Sequence, residues 1–278
     1  MKFVAGIAAV LCAAGVLSAL ASGASKATPS LPTVTVAMDG KSITVGGSLQ
    51  SGAVDVHTTA TGKVSGSPTF VRLDPGVSAA QLFAFLKTPQ ANDPNNLTGI
   101  GTIVTSVEGG PGTNEFQTIL PPGDYVAFDS SAERPTQWPS TTFTVAQAAA
   151  PAQLPAAAQT QSAIEFGFRG PATLHNGQVL RAVNDGWVVH MIAAFGVKSP
   201  AVGRKVIALL KAGEDKQAEK LATHNFIALL GPASHGATQQ FVFHGAPGWY
   251  VEACFMDTQD GREHTQLGME RLIHVVAD

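Results

Sequence analysis

Residues 248–275 have the sequence GWYVEACFMDTQDGREHTQLGMERLIHV, and this stretch decides the fold prediction. It opens with an apolar and aromatic run, Trp249–Phe255, and closes with a second run, Leu272–Val276. Aromatic and β-branched residues bounded by glycine are typical of β-strands. A polar segment of nine residues separates Cys254 from His264. The stretch therefore predicts two neighbouring strands whose connecting loop carries a cysteine, a histidine and a methionine.

The two halves of the chain repeat each other at an offset of 125 residues. The matching pairs are Leu49, Gly52 and Val54 with Leu174, Gly177 and Val179, and Pro122, Gly123, Tyr125 and Val126 with Pro247, Gly248, Tyr250 and Val251. Because one offset holds from end to end, the sequence indicates one fold that has been duplicated.

A segment rich in Ala, Pro and Gln divides the two copies, with the sequence AQAAAPAQLPAAAQTQ at residues 146–161. It has no apolar periodicity and is typical of an extended linker. The predicted division is a signal peptide at 1–24, a domain at 31–146, a linker at 147–159 and a second domain at 160–278. Short strands separated by Gly and Pro turns indicate an all-β fold of two tandem sandwiches.

Each copy also interrupts its strands with one helix. The predicted helices are Ser78–Leu86 in the first copy and Pro200–Ala222 in the second. Ser199 is a suitable N-cap for the longer helix, and Pro200 suits its first turn. We expect a surface helix that covers one edge of the sandwich, and a lid over a site is the alternative. The alternating segment Ile164–Phe168 predicts a half-buried strand.

The first residues have the composition of a secretion signal. Lys2 gives a positive start, Val4–Leu20 is apolar, and small residues follow up to Ala24. We expect residues 1–24 to be removed on export to a periplasm or the cell exterior, and an uncleaved anchor is the alternative. No other apolar run approaches about 18 residues, so the mature chain should lack a transmembrane segment. Only 13% of residues are charged and no basic stripe is present, so a nucleic-acid partner is not expected.

Removing the signal leaves Cys254 as the one cysteine of the mature chain. A lone thiol in an exported protein is open to oxidation unless burial or a metal bond protects it. His264 and Met269 follow on the same loop, and His190 lies upstream on a predicted strand at 188–195. A thiolate, two imidazoles and a thioether form the donor set that mononuclear copper sites use for electron transfer. The sequence therefore predicts a copper site formed by His190, Cys254, His264 and Met269.

This loop resembles the type 1 copper loop of the cupredoxin family. The family pattern, a glycine and a tyrosine before the cysteine and then a histidine and a methionine, is matched by Gly248, Tyr250, Cys254, His264 and Met269. The resemblance implies two cupredoxin-like Greek-key sandwiches, with His190 as the upstream ligand of one copper ion at a type 1 site. It covers the second copy directly and reaches the first only through the repeat.

Some residues depart from the family pattern. Met191 follows His190 where many members have an asparagine. The segment of nine residues between Cys254 and His264 is long for the family, and so is the helix inserted after His190. Glu252 lies two residues before Cys254, so strand alternation places both side chains on one face. Three alternatives are open for this carboxylate: a buried partner, a bulge that turns it outward, or a role as an oxygen ligand.

The constant offset also predicts what the first copy holds at the ligand positions. Subtracting 125 gives Ser65, Asp129, Pro139 and Thr144, and none of these is a cysteine, histidine or methionine. The first domain should therefore retain the fold without the metal ligands. Its one histidine is His57, so a second copper centre between the domains lacks ligands. A second centre formed by His224, His235 and His244 is not favoured, because the chain has no His-x-His pair.

Together these patterns predict an exported copper-binding protein for one-electron transfer or copper handling, a carrier rather than an enzyme. Its redox or copper-donor partner protein is unknown. Trp187, Phe255 and Leu267 are candidate docking residues beside an exposed His264 edge. The alternative is a metal-free binding or scaffold module of the cell envelope, in which Cys254 is a small buried hydrophobe.

Overall fold

The computed structural model describes residues 30–61, 66–107, 112–132 and 135–277. The predicted signal peptide at 1–24 lies outside these ranges. Within them, strands dominate and helices are few, so the all-β prediction is confirmed.

The first copy forms two sheets that face each other. Its strands are β1 (Thr33–Met38), β2 (Ile43–Gly47), β3 (Gly52–Ala60), β4 (Pro68–Leu73), β5 (Gly101–Ser106), β6 (Gly112–Leu120), β7 (Gly123–Asp129) and β8 (Ser140–Val145). One sheet has the order β2-β1-β3-β6 and the other β5-β4-β7-β8. Helix α1 (Ala79–Leu86) and short 3₁₀ turns at Pro89–Asn92 and Pro94–Leu97 connect β4 to β5.

The second copy repeats this plan with one additional strand. Its strands are β9 (Gln159–Ile164), β10 (Gly167–Arg169), β11 (Thr173–His175), β12 (Val179–Asn184), β13 (His190–Val197), β14 (Ala222–Ala233), β15 (Thr238–Val242), β16 (Gly248–Ala253) and β17 (Glu270–Val276). The strand orders β10-β9-β12-β15 and β14-β13-β16-β17 reproduce those of the first copy, and β11 adds to the β17 edge. Helices α2 (Pro200–Lys211) and α3 (Asp215–Glu219) connect β13 to β14.

The duplication extends to local hydrogen bonds. The Tyr125 hydroxyl donates to the carbonyl of Pro121 at 2.6 Å, and the Tyr250 hydroxyl donates to the carbonyl of Ala246 at 2.7 Å. Both rings are buried just after the start of the equivalent strands β7 and β16. The prediction of two related sandwiches is therefore confirmed.

The two sandwiches are joined by a continuous sheet. Strand β15 pairs with β6, which gives one eight-stranded sheet of order β10-β9-β12-β15-β6-β3-β1-β2. At this junction the Thr118 hydroxyl donates to the carbonyl of Thr238 at 2.7 Å. The predicted linker segment is also held, because Ala53 N–H donates to the carbonyl of Ala152 at 2.9 Å. The copies consequently meet through backbone pairing as well as side chains.

Two predicted elements differ from the structure. The long helix begins as expected, with Ser199 Oγ accepting from the N–H of Val202, but it ends at Lys211 because Gly213 takes a left-handed φ of 71°. The segment Ile164–Phe168 is not one strand. Strand β9 ends at Ile164 and the chain turns through Phe166, whose φ is 49°, into β10. The apolar–polar alternation there is that of a tight hairpin.

Candidate metal centre

The loop after β16 folds back on itself and brings its two ends together. Cys254 N–H donates to the carbonyl of Met269 at 3.2 Å, and His264 N–H donates to the carbonyl of Met256 at 2.8 Å. Gly268 ends the 3₁₀ turn His264–Leu267 with a φ of 100°, a conformation that favours glycine. The backbone therefore fixes His264 beside Cys254 without help from a ligand.

His190 is positioned by the turn that precedes β13. The Asn184 side-chain amide donates to the carbonyls of Val188 and Ala233, both at 2.8 Å, and its oxygen accepts from the N–H of Gly186 at 2.9 Å. These three bonds satisfy a fully buried amide and fix the segment that leads into His190. Asn184 was not singled out in the sequence, because the segment Asn184-Asp185-Gly186 resembles any turn.

Three ligand-type atoms converge between these elements. The Nδ1 atoms of His190 and His264 are 3.1 Å apart, and the Cys254 Sγ lies 3.3 Å from Nδ1 of His264 and 3.8 Å from Nδ1 of His190. The centre of a triangle with these sides is about 2.0 Å from each corner, close to the bond lengths of sulfur- and nitrogen-ligated metals. The three side chains form a group that could hold a metal ion.

Met269 lies at the other end of the same loop, directly before β17. Its side chain is fully buried in the apolar cluster that also contains Cys254, Met191 and Met256. The backbone bond between Cys254 and Met269 places the two residues opposite each other across the β16–β17 ladder. Met269 thus lies in a buried position that excludes water, and its role as a ligand stays a prediction.

Burial sets the protonation of the metal-free group. It lowers the pKa of His190 and of His264 to about 4, so both rings are neutral at pH 7. Burial also raises the pKa of the Cys254 thiol to about 12, although the N–H of Met191, 3.4 Å from Sγ, opposes this shift. Neutral imidazoles are ready to coordinate, whereas the thiol must release its proton when a metal binds.

Comparison with known proteins finds similarity at the level of solved structures only. No family model and no curated protein matches the chain. Auracyanin B is 21% identical over 44% of this chain and 92% of its own, with a TM-score of 0.25. Reduced auracyanin from Roseiflexus castenholzii is 18% identical over 42% and 94%, with a TM-score of 0.25. A copper-containing nitrite reductase from Thermus scotoductus SA-01 is 11% identical over 88% and 67%, again at 0.25. Similarities this distant carry no conclusion about function.

The duplicated sandwich and the convergence of His190, Cys254 and His264 are the features that agree with the sequence resemblance.

The candidate site has neighbours that sequence reasoning missed. Glu165 Oε1 lies 3.9 Å from Nε2 of His190 and accepts hydrogen bonds from the N–H groups of Trp187 and Val188. The Phe166 ring meets the His264 ring edge-on at 5.0 Å. Both residues belong to the β9–β10 hairpin, so the strand prediction for this segment concealed them.

The first domain reaches the site as well. Asn95, in the 3₁₀ turn Pro94–Leu97, accepts a hydrogen bond from the N–H of Val189 at 2.6 Å, directly beside His190. A groove at the domain junction is lined by Asp93, Asn95, Val188, Thr258, Gln259, Asp260, Arg262 and His264.

His264 is fully buried, so the prediction of an exposed His264 edge is wrong. Of the predicted docking residues, Trp187 is 80% exposed.

Glu252 has the buried partner that was one of the open alternatives. It forms an ion pair with Arg271, its opposite residue on β17. The ladder is regular at this point, so no bulge turns the carboxylate outward. Burial raises the pKa of Glu252 and Arg271 opposes that rise. Glu252 lies outside the group that could hold a metal.

Strand register corrects the comparison with the first copy. The N–H of Ser67 donates to Asp129 Oδ1 at 2.9 Å just as the N–H of Met191 approaches Cys254, so His190 corresponds to Gly66 and not to Ser65. Asp129 N–H donates to the carbonyl of Pro139 as Cys254 does to Met269, so Met269 corresponds to Pro139 and not to Thr144. The equivalent position in the first domain thus holds aspartate, glycine and proline.

Three of the remaining histidines have other contacts. His274 stacks on Trp249 at 4.3 Å and His235 stacks on Trp187 at 4.8 Å. His57 faces Glu115 at 3.6 Å on the surface of the first domain. Within the described ranges, His190, Cys254 and His264 are the one group of three or more potential ligands.

Proposed function

We propose that this protein binds one copper ion at a type 1 site through His190, Cys254, His264 and Met269 and carries single electrons. The observation that supports this most directly is the convergence of two imidazole nitrogens and one sulfur within 3.8 Å of one another. Two imidazoles, a thiolate and a weak thioether are the donors of copper electron-transfer sites. When bound, copper supplies one-electron chemistry by alternating between Cu(I) and Cu(II).

The chain itself supplies a rigid set of ligands. His190 begins β13, Cys254 follows β16, and Met269 precedes β17, so three of the four residues lie at the ends of adjacent strands. His264 is fixed by its backbone bond to Met256. Ligands held by the fold in advance move little when the charge of the ion changes, and this favours fast electron exchange.

Burial distinguishes electron transfer from copper delivery. All four proposed ligands are completely buried. A protein that passes copper ions to a partner needs ligands that the partner can reach, whereas electrons cross a protein layer. The site therefore favours a resident ion, and the partner is a redox protein.

The compartment is part of the proposal. The predicted signal peptide at 1–24 and a single mature cysteine that is fully buried both suit an exported chain. Among the described residues, no helix has the length and apolar character needed to cross a membrane.

Copper loading of the purified full-length chain tests the proposal. We expect one tightly bound copper per chain and the intense visible absorption of a copper–thiolate bond. Cys254→Ser should abolish this absorption. Met269→Leu should shift the spectrum and the potential, whereas Met256→Leu, a matched change of a buried methionine on the same loop, should leave both close to wild type.

A metal-free binding or scaffold module is the competing function. A protein that stays colourless and takes up no copper, with a melting temperature unchanged by Cu(II), would support it and rule out the electron carrier. A tightly bound ion must instead raise the melting temperature, because it binds the folded state alone.

A further inference from the structure

A segment of the first domain completes the surroundings of His264. Asp93 and Asn95 lie in the connection between β4 and β5, about 170 residues before His264 in the sequence, yet they line the same groove as its imidazole ring. Leu97 anchors this segment, since its side chain is 5% exposed and belongs to the apolar cluster that contains Val189, Met191 and Cys254. The segment is therefore part of the site's wall.

Asp93 is a buried carboxylate with one oxygen in use. Its Oδ1 accepts from the N–H and from the side-chain amide of Asn95, at 2.9 and 2.7 Å. Its Oδ2 has no hydrogen-bond partner. Water cannot readily replace that partner, because the residue is only 7% exposed. A buried oxygen without a partner is costly, so this atom calls for an explanation.

The His264 ring presents the complementary group. Its Nδ1 faces Cys254 and His190, and its Nε2 is buried without a hydrogen-bond partner. When Nδ1 binds a metal, Nε2 carries the proton and becomes a donor. Metal-bound histidines donate this proton to a carboxylate, a carbonyl or a water, and that partner fixes the ring and strengthens the ligand.

We propose that Asp93 of the first domain is the outer partner of His264, accepts its Nε2 proton in the copper-loaded protein, and stabilises Cu(II) relative to Cu(I). The inference rests on the proposed function. The two atoms are not in hydrogen-bond contact in this structure, but both are buried without a partner and their residues line the same groove.

This role gives the first domain a task that does not require ligands of its own. A buried negative charge near a metal favours the more positive oxidation state. The domain without the ligand residues thereby sets how readily the second domain accepts an electron. Asp93 acts through His264 and is a positioning residue.

Redox titration of the full-length copper protein tests this assignment. Asp93→Asn removes the charge and keeps an oxygen that can accept from Asn95. At a fixed solution potential, we expect its ratio of Cu(I) to Cu(II) to rise at least tenfold, which is 59 mV for a one-electron couple. Asp124→Asn, which removes a charge from an aspartate of the same domain that bonds Thr144, should change the ratio less than twofold. Asp93→Glu restores the charge and should return the ratio toward wild type.

A second measurement separates this role from folding. Cu(I) is diamagnetic, so the Nε2 proton of His264 should be visible by NMR and slow to exchange in wild type, and fast to exchange in Asp93→Asn. If Asp93→Asn does not fold, Asp93→Ser retains a turn cap and carries the same expectation.

Equal ratios of Cu(I) to Cu(II) in Asp93→Asn and Asp124→Asn would overturn the inference while copper binding stands. A wild-type chain that takes up no copper would overturn the proposed function, and this inference with it.

Discussion

The two sandwiches share one topology and differ at the point where a backbone N–H meets the end of a central strand. In the second domain the N–H of Met191 approaches the sulfur of Cys254, and in the first the N–H of Ser67 donates to the carboxylate of Asp129. The scaffold thus supplies the same buried donor in both copies. The comparison teaches that this fold needs an acceptor at that position but does not need a metal.

The first domain has also filled the space that a second ligand would occupy. A Cβ atom on Gly66, the counterpart of His190, would lie 2.5 Å from Cε and 2.8 Å from Sδ of Met38. Met38 is itself buried, so the apolar core occupies this position in the first domain. In the first domain a buried apolar side chain therefore lies where the second domain has an imidazole.

The largest difference in stability should come from the ion pair that only the second copy has. Glu252 and Arg271 occupy the register positions of Ala127 and Thr141 in the first domain. We expect Arg271→Ala to lower the free energy of unfolding by about 3–5 kcal/mol, because it leaves a buried carboxylate unpaired. Arg262→Ala, which breaks an exposed pair with Asp260, should cost less than about 1 kcal/mol in urea unfolding.

A double variant sharpens the same point. Glu252→Ala combined with Arg271→Thr copies the first domain and removes both charges together. We expect it to be more stable than Arg271→Ala alone, since the cost lies mainly in the unpaired charge. Additive losses in the double variant would show that the pair acts through packing alone.

The pH dependence of the metal-free protein should also originate in the second domain. Burial holds the pKa of His190 and His264 at about 4 in the folded chain, below the value of roughly 6.5 in the unfolded chain. Between these values the unfolded chain binds more protons, so stability is lost as the pH falls through this window. We expect a loss of about 2 kcal/mol between pH 7 and pH 5.5.

Urea unfolding at several pH values, without metal, measures this loss. His264→Gln should reduce the pH slope, and His57→Gln, a change at a 41% exposed side chain of the first domain, should leave it unchanged. If wild type, His264→Gln and His57→Gln all show the same change of stability with pH, groups other than His264 cause the loss.

A smaller effect should follow from adding a methyl group at the counterpart of His190 in the first domain. Gly66→Ala forces the Cβ against Met38 and should destabilise the chain by about 1–2 kcal/mol. Gly46→Ala places its Cβ no closer than 3.4 Å to Thr35 Oγ1 and serves as the control. A Gly66→Ala protein as stable as wild type would mean that Met38 moves aside and that the site has room.

The smallest expected losses of stability are those of two equivalent tyrosines, and the two losses should be equal. Tyr125→Phe and Tyr250→Phe each remove a single hydroxyl bond from the same corner of the two sandwiches. Each should cost about 1 kcal/mol in thermal or urea unfolding. A clear inequality would show that the two corners are not equivalent, despite their matching geometry.

The sequence was informative where residue type and local spacing determine the structure. The Cys254 loop, the Ser199 cap and the repeat of Tyr125 at Tyr250 are local signals, and each predicted its element correctly. The offset of 125 failed by one residue at His190, which corresponds to Gly66. It failed again beyond the loop, because five additional residues between β16 and β17 shift Met269 onto Pro139. Counting along the chain could not detect this insertion, whereas strand register shows it.

Contacts between distant segments were not predictable. The bond from Val189 to Asn95 joins residues 94 positions apart, and neither residue type indicates it. Phe166 was hidden for a different reason, since a non-glycine residue with positive φ looks like a strand residue in sequence. The residues around the candidate site could therefore be identified only from the fold, whereas the candidate ligands themselves were proposed from the sequence.

The continuous eight-stranded sheet has a consequence during synthesis. Strand β6 is an edge of the first sandwich until residues 238–242 are made and β15 pairs with it. An uncovered edge strand offers its backbone groups to any other extended chain. The ribosome must add more than a hundred residues before that edge is covered, so a nascent first domain is most vulnerable to aggregation during this interval.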